Sequence, residues 1–150
     1  MKKSMRLILD TNEYIFGFSQ SGPPESAQLL DLVGELLPDI EEFYLLLPDI
    51  IRDEVQRNLL SHLLGDFYRF IMLNPKIVQA SVLEIPVSLF QHYHSDLGLK
   101  EADATIAAFA EWKAVDYLIS ENRHFLGLKA EKFVVCNAAT FIQHFDSRKK

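Results

Sequence analysis

Short apolar runs alternate with amphipathic segments along this chain. Four runs are predicted strands because each is short, mostly apolar and bounded by polar or turn-forming residues: 6–10, 43–47, 115–120 and 132–136. A further segment, 77–85, is ambiguous between a short strand and an extended loop. Apolar strands that alternate with helices indicate a parallel sheet covered on both faces.

Apolar residues at helical spacing predict the helices that connect these strands. The predicted segments are 11–18, 24–38, 50–59, 62–73, 86–97, 101–113 and 138–145, with a short turn or helix at 122–125. Pro38 and Gly98 are expected to end their helices, and Asp49 to cap the helix that follows it. The order of elements predicts one α/β domain over residues 1–150, with three α/β/α layers and a mostly parallel sheet of four to five strands. A flexible tail is expected from about residue 146.

Composition and the absence of targeting segments indicate the class of protein and the compartment that we expect. The chain is 49% hydrophobic and 24% charged, which is typical of a soluble globular domain. Its single cysteine, Cys136, cannot form an internal disulfide, which favours a reducing compartment. The first apolar run ends at Asp10, too early for a signal peptide, and no run approaches the ~20 residues of a membrane span. We therefore expect a cytoplasmic protein with no membrane partner.

A formal net charge of −6 argues against binding nucleic acid through bulk electrostatics. It does not exclude a nuclease, because acids gathered at a metal site add negative charge that the bound ion locally reverses.

Three acidic residues lie next to apolar residues of the predicted strands and helices. Asp10 directly follows an apolar strand, Glu54 borders the apolar stripe of its helix, and Asp103 shares a helical face with apolar residues of its own helix. A buried carboxylate is costly when isolated, and three that converge would repel one another. A divalent cation resolves both difficulties, and Mg²⁺ or Mn²⁺ best suits oxygen ligands.

Each of these residues also has an ordinary interpretation when it is taken alone. Asp10 could cap the first helix, and Glu54 could be a solvated residue at the edge of its helix. Asp103 could interact with the helix dipole from the first turn, and Asn122 could be a turn residue.

The chain carries three motifs, 7-LILDTN-12, 48-PDIIRDEVQRNL-59 and 103-DATIAAFAEWKAVDYLISENRHF-125. Together they resemble the motifs of the PIN-domain family, and particularly of the VapC-type toxin ribonucleases of toxin–antitoxin pairs. The resemblance extends from Arg6 to about Phe145, and it implies a PIN-like form of the α/β/α fold.

By position, the resemblance implies that Asp10, Glu54 and Asp103 are the metal-binding acids, with Thr11 and Asn12 orienting the first of them. The choice of Glu54 over Asp53 rests on helical phase.

Asn122 departs from the family pattern, because many members have a fourth acid there. An amide can still offer a carbonyl oxygen or hold a water, so Asn122 stays among the candidate catalytic residues. The adjacent Glu121 could substitute only if the turn aims it inward, which we do not expect. Ser120 is expected to hydrogen-bond a ligand acid or a phosphate. Arg123 is expected to contact a phosphate or to be an ordinary polar turn residue.

The function that the resemblance implies is a Mg²⁺- or Mn²⁺-dependent endoribonuclease that hydrolyses RNA phosphodiester bonds. It further implies a toxin that forms a homodimer and is blocked by an antitoxin protein. The alternative is a non-catalytic PIN-like module that binds RNA or protein, which Asn122 and the negative charge leave open. A phosphotransfer receiver domain is a third class, but its acid pair and late lysine are not evident.

Overall fold

A computed structural model describes the backbone of residues 4–149 and the side chains of residues 4–145. The described part contains five strands: β1 Met5–Leu9, β2 Phe43–Pro48, β3 Ile77–Ala80, β4 Tyr117–Ile119 and β5 Val134–Cys136. Its α-helices are α1 Thr11–Ser19, α2 Pro24–Asp39, α3 Asp49–Asn58, α4 Ser61–Leu73, α5 Val87–Gln91, α6 Glu101–Trp112, α7 Arg123–Leu126 and α8 Ala138–Lys149. A 3₁₀ turn at Val82–Glu84 precedes α5, and a π-helical turn at His92–Asp96 follows it.

All five strands are parallel and lie in the order β3-β2-β1-β4-β5. The chain therefore starts at the centre of the sheet, moves outward through β2 and β3, and returns to the other side of β1 for β4 and β5. The strand order reverses between β1 and β4, where Leu9 lies in register with Ile119. In open parallel sheets such a switch point opens a crevice at the carboxyl ends of the strands.

The predicted fold class is confirmed, because helices flank a parallel sheet whose central strand is buried over its last three residues. Leu7, Ile8 and Leu9 are at most 1% exposed, as a strand covered on both faces requires. The ambiguous segment 77–85 contains the edge strand β3. Gly98 lies just beyond the π-helical turn with a φ of 77°, so its predicted role at a helix end is confirmed.

Two predictions about helix ends are wrong. Pro38 does not end α2, which continues to Asp39 with the proline inside its last turn. Asp49 is the first residue of α3 and not its cap; Pro48 occupies the cap position without a side-chain hydrogen bond. The Asp49 carboxylate instead accepts a hydrogen bond from the backbone N–H of Val82 at 3.2 Å, which ties the start of α3 to the segment after β3.

The flexible tail expected from about residue 146 falls where no side chains are described, and it stays a prediction. Within the described chain, no helix combines the length and the apolar character that crossing a membrane requires.

Candidate functional site

Asp10 occupies the switch point at the end of β1. Its backbone N–H donates to the carbonyl of Ile119 at 2.9 Å, which continues the pairing of β1 with β4. Its carboxylate accepts from the Ser120 hydroxyl at 2.7 Å on one oxygen and from the backbone N–H of Thr11 at 2.9 Å on the other. Asp10 is only 7% exposed. Both oxygens are thus oriented by donors, and the hydrogen bond from Ser120 to a candidate ligand acid is present.

Asp103 lies in the first turn of α6, on the helix face that the sequence pattern predicts. The apolar residues of this face, Ile106, Ala107 and Ala110, are buried. Asp103 is itself half-buried. The amphipathic pattern therefore brings its carboxylate to the boundary between the core and solvent.

Glu54 lies in α3 between two different environments. Its neighbours on the buried stripe, Ile51 and Val55, are fully buried, whereas Glu54 is half-buried. Asp53, the alternative, is exposed and pairs with Arg52 at 3.3 Å. The helical phase therefore places Glu54, and not Asp53, beside the interior.

The three acids influence one another electrostatically. Burial is the main cause that raises the pKa of Asp10, and Asp103 raises it further. Burial also raises the pKa of Glu54, with added repulsion from both Asp10 and Asp103. The pKa of Asp103 is raised by burial as well, although His124 and Lys100 oppose that shift. Asp10 at the end of β1, Glu54 in α3 and Asp103 in α6 therefore share one region of negative potential.

The positive charge near this group is small. Among the described residues, no lysine or arginine forms an ion pair with any of the three acids. Arg57 lowers the pKa of Glu54, and His124 and Lys100 lower that of Asp103, only through longer-range attraction. The donor set is therefore rich in carboxylate oxygen and short of compensating charge, which is the chemistry that suits a hard divalent cation.

Asp10, Glu54 and Asp103 do not lie close enough together to form a complete set of metal ligands. Within the described chain, no three His, Cys, Asp or Glu side chains lie close enough together to hold a metal ion. The composition of the group fits a cation, but its present spacing requires movement of at least one side chain. Glu54 is the best placed to move, because it is half-buried on a long side chain.

Asn122 forms the turn between β4 and α7. Its backbone N–H donates to the Ser120 hydroxyl oxygen at 2.9 Å, and its side-chain oxygen accepts from the N–H of His124 at 2.9 Å. The amide therefore caps α7, as the ordinary interpretation of a turn residue requires. This bond leaves the amide oxygen a second lone pair, because a carbonyl oxygen has two.

Of the remaining supporting residues, Thr11, Asn12 and Arg123, only Thr11 donates a hydrogen bond to Asp10 among the described contacts. Thr11 reaches it through its backbone N–H, and the buried Thr11 hydroxyl has no hydrogen-bond partner among the described residues. Asn12 and Arg123 are exposed. No hydrogen bond from either side chain to Asp10 is present in the described part of the chain.

Sequence patterns missed a second pair of acids behind the site. Glu13 is fully buried in α1, and its carboxyl contacts that of Glu121. Glu121 is half-buried and accepts from the N–H of Ala138 at 2.9 Å, so its carboxylate is directed to the start of α8. The expectation that it does not replace Asn122 at the metal-binding acids stays a prediction. The available signal was helical phase, because Glu13 lies four residues before Gly17 on the buried face of α1.

Comparison with known proteins supports the fold. No protein-family model and no curated protein matches the chain. Among solved structures, one similar chain comes from the VapBC2 complex of Rickettsia felis bound to a DNA fragment from its promoter. The two chains superpose with a TM-score of 0.63 at 14% identity, and the match covers 89% of this chain and 98% of that chain. A chain of a toxin–antitoxin complex from Klebsiella pneumoniae gives a TM-score of 0.57 at 22% identity, covering 85% and 95%. At these identities the likeness establishes the fold, and it confirms the PIN-like architecture expected from the motifs.

Proposed function

We propose that this chain is a metal-dependent endoribonuclease that hydrolyses RNA phosphodiester bonds with Mg²⁺ or Mn²⁺. The observation that carries the proposal is the grouping of Asp10, Glu54 and Asp103, three acids from separate parts of the chain. Burial raises the pKa of each, and repulsion within the group raises the pKa values of Asp10 and Glu54 further. Without a cation, this arrangement costs free energy through burial and repulsion. The pattern of perturbed acids in a crevice is typical of catalytic sites.

The chain's own residues would divide the work in a simple way. Asp10, fixed by Ser120 and Thr11, offers a pre-oriented carboxylate. Asp103 and Glu54 complete the ligand set, with Glu54 moving inward. A bound cation would supply Lewis acidity to a phosphate oxygen and would lower the pKa of a water. Water is the nucleophile, so no side chain needs to form a covalent intermediate.

The polar residues of α7 would face the substrate. Arg123 and His124 are exposed at the start of this short helix, and we propose that they attract the RNA backbone locally despite the net charge of −6. Asn122 would hold a water near the scissile phosphate through the free lone pair of its side-chain oxygen. Asn12, exposed beside Thr11, is a further candidate contact with RNA.

We further propose that the protein is the toxin of a toxin–antitoxin pair, active as a homodimer in the cytoplasm. The support is the shared fold with chains from two complexes, one of VapBC2 and one described as a toxin–antitoxin complex. The expected phenotype is growth arrest on expression, relieved when a small neighbouring gene is co-expressed. Light scattering on the purified protein would test the homodimer.

Cleavage of structured RNA tests the enzymatic proposal. The purified protein should cut RNA with Mn²⁺ or Mg²⁺ and lose activity in EDTA, and Asp10→Asn should abolish cleavage. Cutting that survives both chelation and this substitution would assign the activity to a contaminant or to another site. A protein that binds RNA without cutting it would favour the non-catalytic module, which the open spacing of the acids and the capping role of Asn122 also favour.

A further inference from the structure

A chain of polar contacts runs behind the candidate site through the interior of the molecule. It starts in α2, where the buried Ser26 hydroxyl donates to one oxygen of Glu13 at 2.8 Å. It continues from Glu13 in α1 to the carboxyl of Glu121, just after β4. It ends where Glu121 accepts from the N–H of Ala138, the first residue of α8, at 2.9 Å. Three helices and the turn between β4 and α7 therefore meet through two carboxyl groups.

The carboxyl groups of Glu13 and Glu121 can hydrogen-bond to each other only when one of them carries a proton. The second oxygen of Glu13 has no donor among the described groups, because the group it faces is another acid. Two ionised carboxylates in contact would repel each other in a low dielectric. Burial first, and then the contact with Glu121, raise the pKa of Glu13 to about 9. A neutral Glu13 can donate a hydrogen bond and leave Glu121 free to accept from α8.

The pair of Glu13 and Glu121 is poorly suited to bind a second cation. The pair offers only two carboxyls, and one of them is already bonded to the N-terminal N–H of α8. The positive end of a helix dipole opposes a cation there.

The pair is linked directly to the residue that orients Asp10. Glu121 lies between Ser120, whose hydroxyl donates to Asp10, and Asn122, whose N–H donates to that same hydroxyl. The side chain of Glu121 therefore anchors the turn that presents Ser120.

We propose that Glu13 is a positioning residue: its buried carboxyl holds that of Glu121, which ties the β4–α7 turn to α1 and α2 while Glu121 itself binds α8, and the turn so held keeps the Ser120 hydroxyl on Asp10. The catalytic part of this inference rests on the proposed nuclease function, whereas the anchoring of the turn and of α8 does not.

Two substitutions at Glu13 separate positioning from direct chemistry. Glu13→Gln keeps a donor toward Glu121, and it should retain kcat within about twofold. Glu13→Ala removes the donor, and it should lower kcat by about 10- to 100-fold with little change in KM, the scale of a misplaced catalytic group. Glu35→Gln, at an exposed position of α2, is the matched control and should change neither constant.

The second variant is Glu121→Ala, because Glu121 is less buried and its truncation is better tolerated. It should lower kcat as much as Glu13→Ala does, and the double variant should lose no more than either single one, since residues that act as a unit are not additive. Hydrogen exchange gives the readout that is independent of activity. The amide of Ala138 should exchange faster in both alanine variants and at the native rate in Glu13→Gln.

Loss of activity in Glu13→Gln as large as that in Glu13→Ala would overturn the proposal, because it would show that an ionised Glu13 acts in the site. Additive effects, or unchanged exchange at Ala138 in the alanine variants, would also overturn it. If the native protein cleaves no RNA, the proposed function fails, and the exchange measurement alone then decides the anchoring.

Discussion

At the scale of single residues, the pKa values of the candidate acids depend on burial and on the charges of neighbouring acids. Because burial raises the pKa values of Asp10, Glu54 and Asp103, and repulsion raises those of Asp10 and Glu54 further, a proton competes with any cation for their oxygens. The affinity for Mn²⁺ should therefore rise with pH and level off once the acids are ionised. Calorimetric titrations between about pH 5 and pH 8 would measure this dependence. An affinity that does not vary over that range would contradict the coupling of the acids.

Ser120 makes a separate prediction, because its hydrogen bond lowers the pKa of Asp10 against the effect of burial. Ser120→Ala should raise that pKa further, and the acid limb of the pH–rate profile should move to higher pH. Ser95→Ala, at an exposed position, is the control. An acid limb that stays in place would show that Asp10 does not determine it.

Asn122 can be tested by restoring the acid that many PIN-domain proteins have there. Asp and Asn are about equally good at the N-cap, so Asn122→Asp should keep α7 folded while it adds a fourth carboxylate near the site. The variant should bind a divalent cation more tightly, or bind a second one. Titration with Mn²⁺ would measure both, and an unchanged affinity and stoichiometry would place residue 122 outside the site.

At the scale of elements, the pattern of apolar runs predicted the strands and helices because their burial follows the period of each structure. Asp103 illustrates this success, since the face it shares with Ala107 is buried as helical spacing requires. Contacts between elements distant in sequence were not predictable in the same way. Asp49 bonds to Val82 and not to its own helix, and Glu13 meets Glu121 only because the sheet brings β1 beside β4. A single sequence records periodicity, but not which acids face each other.

The packing of α1 against α2 depends on the absence of a side chain at Gly17. A Cβ there would overlap Cδ1 of the buried Leu30 side chain and lie 3.0 Å from the carbonyl oxygen of Ser26, so the Leu30 side chain would have to move and the Ser26 backbone to give slightly. Gly17→Ala should lower the free energy of unfolding by about 1–3 kcal/mol. Gly34→Ala is the matched control, because its Cβ would meet only Phe70 at 3.8 Å; it should be neutral or stabilise α2 by up to about 1 kcal/mol. Urea denaturation would compare the two, and equal effects would contradict the close approach.

At the scale of the whole molecule, the buried Glu13 links stability to pH. Its pKa rises from 4.5 to about 9 on folding, so between these values the native state binds a proton that the unfolded chain has lost. The free energy of unfolding should therefore be highest near the lower value and fall as pH rises toward the upper one, by at most about 1.4 kcal/mol per pH unit for one proton.

Urea denaturation in EDTA across this range would measure that slope. Glu13→Gln cannot titrate, and it should show a shallower dependence on pH than the native protein. A native protein that gains stability across the same range would show that Glu13 is ionised when folded.

The most direct test of the central claim is the binding of Mn²⁺ to the native protein and to variants of each acid, measured by calorimetry. The claim is that Asp10, Glu54 and Asp103 hold one cation together. Asp10→Asn, Glu54→Gln and Asp103→Asn should each abolish the tight site, and Asp53→Asn, next to Glu54 but paired with Arg52, should leave it unchanged. Tight binding that persists in all three variants, or that is lost equally in Asp53→Asn, would contradict the account.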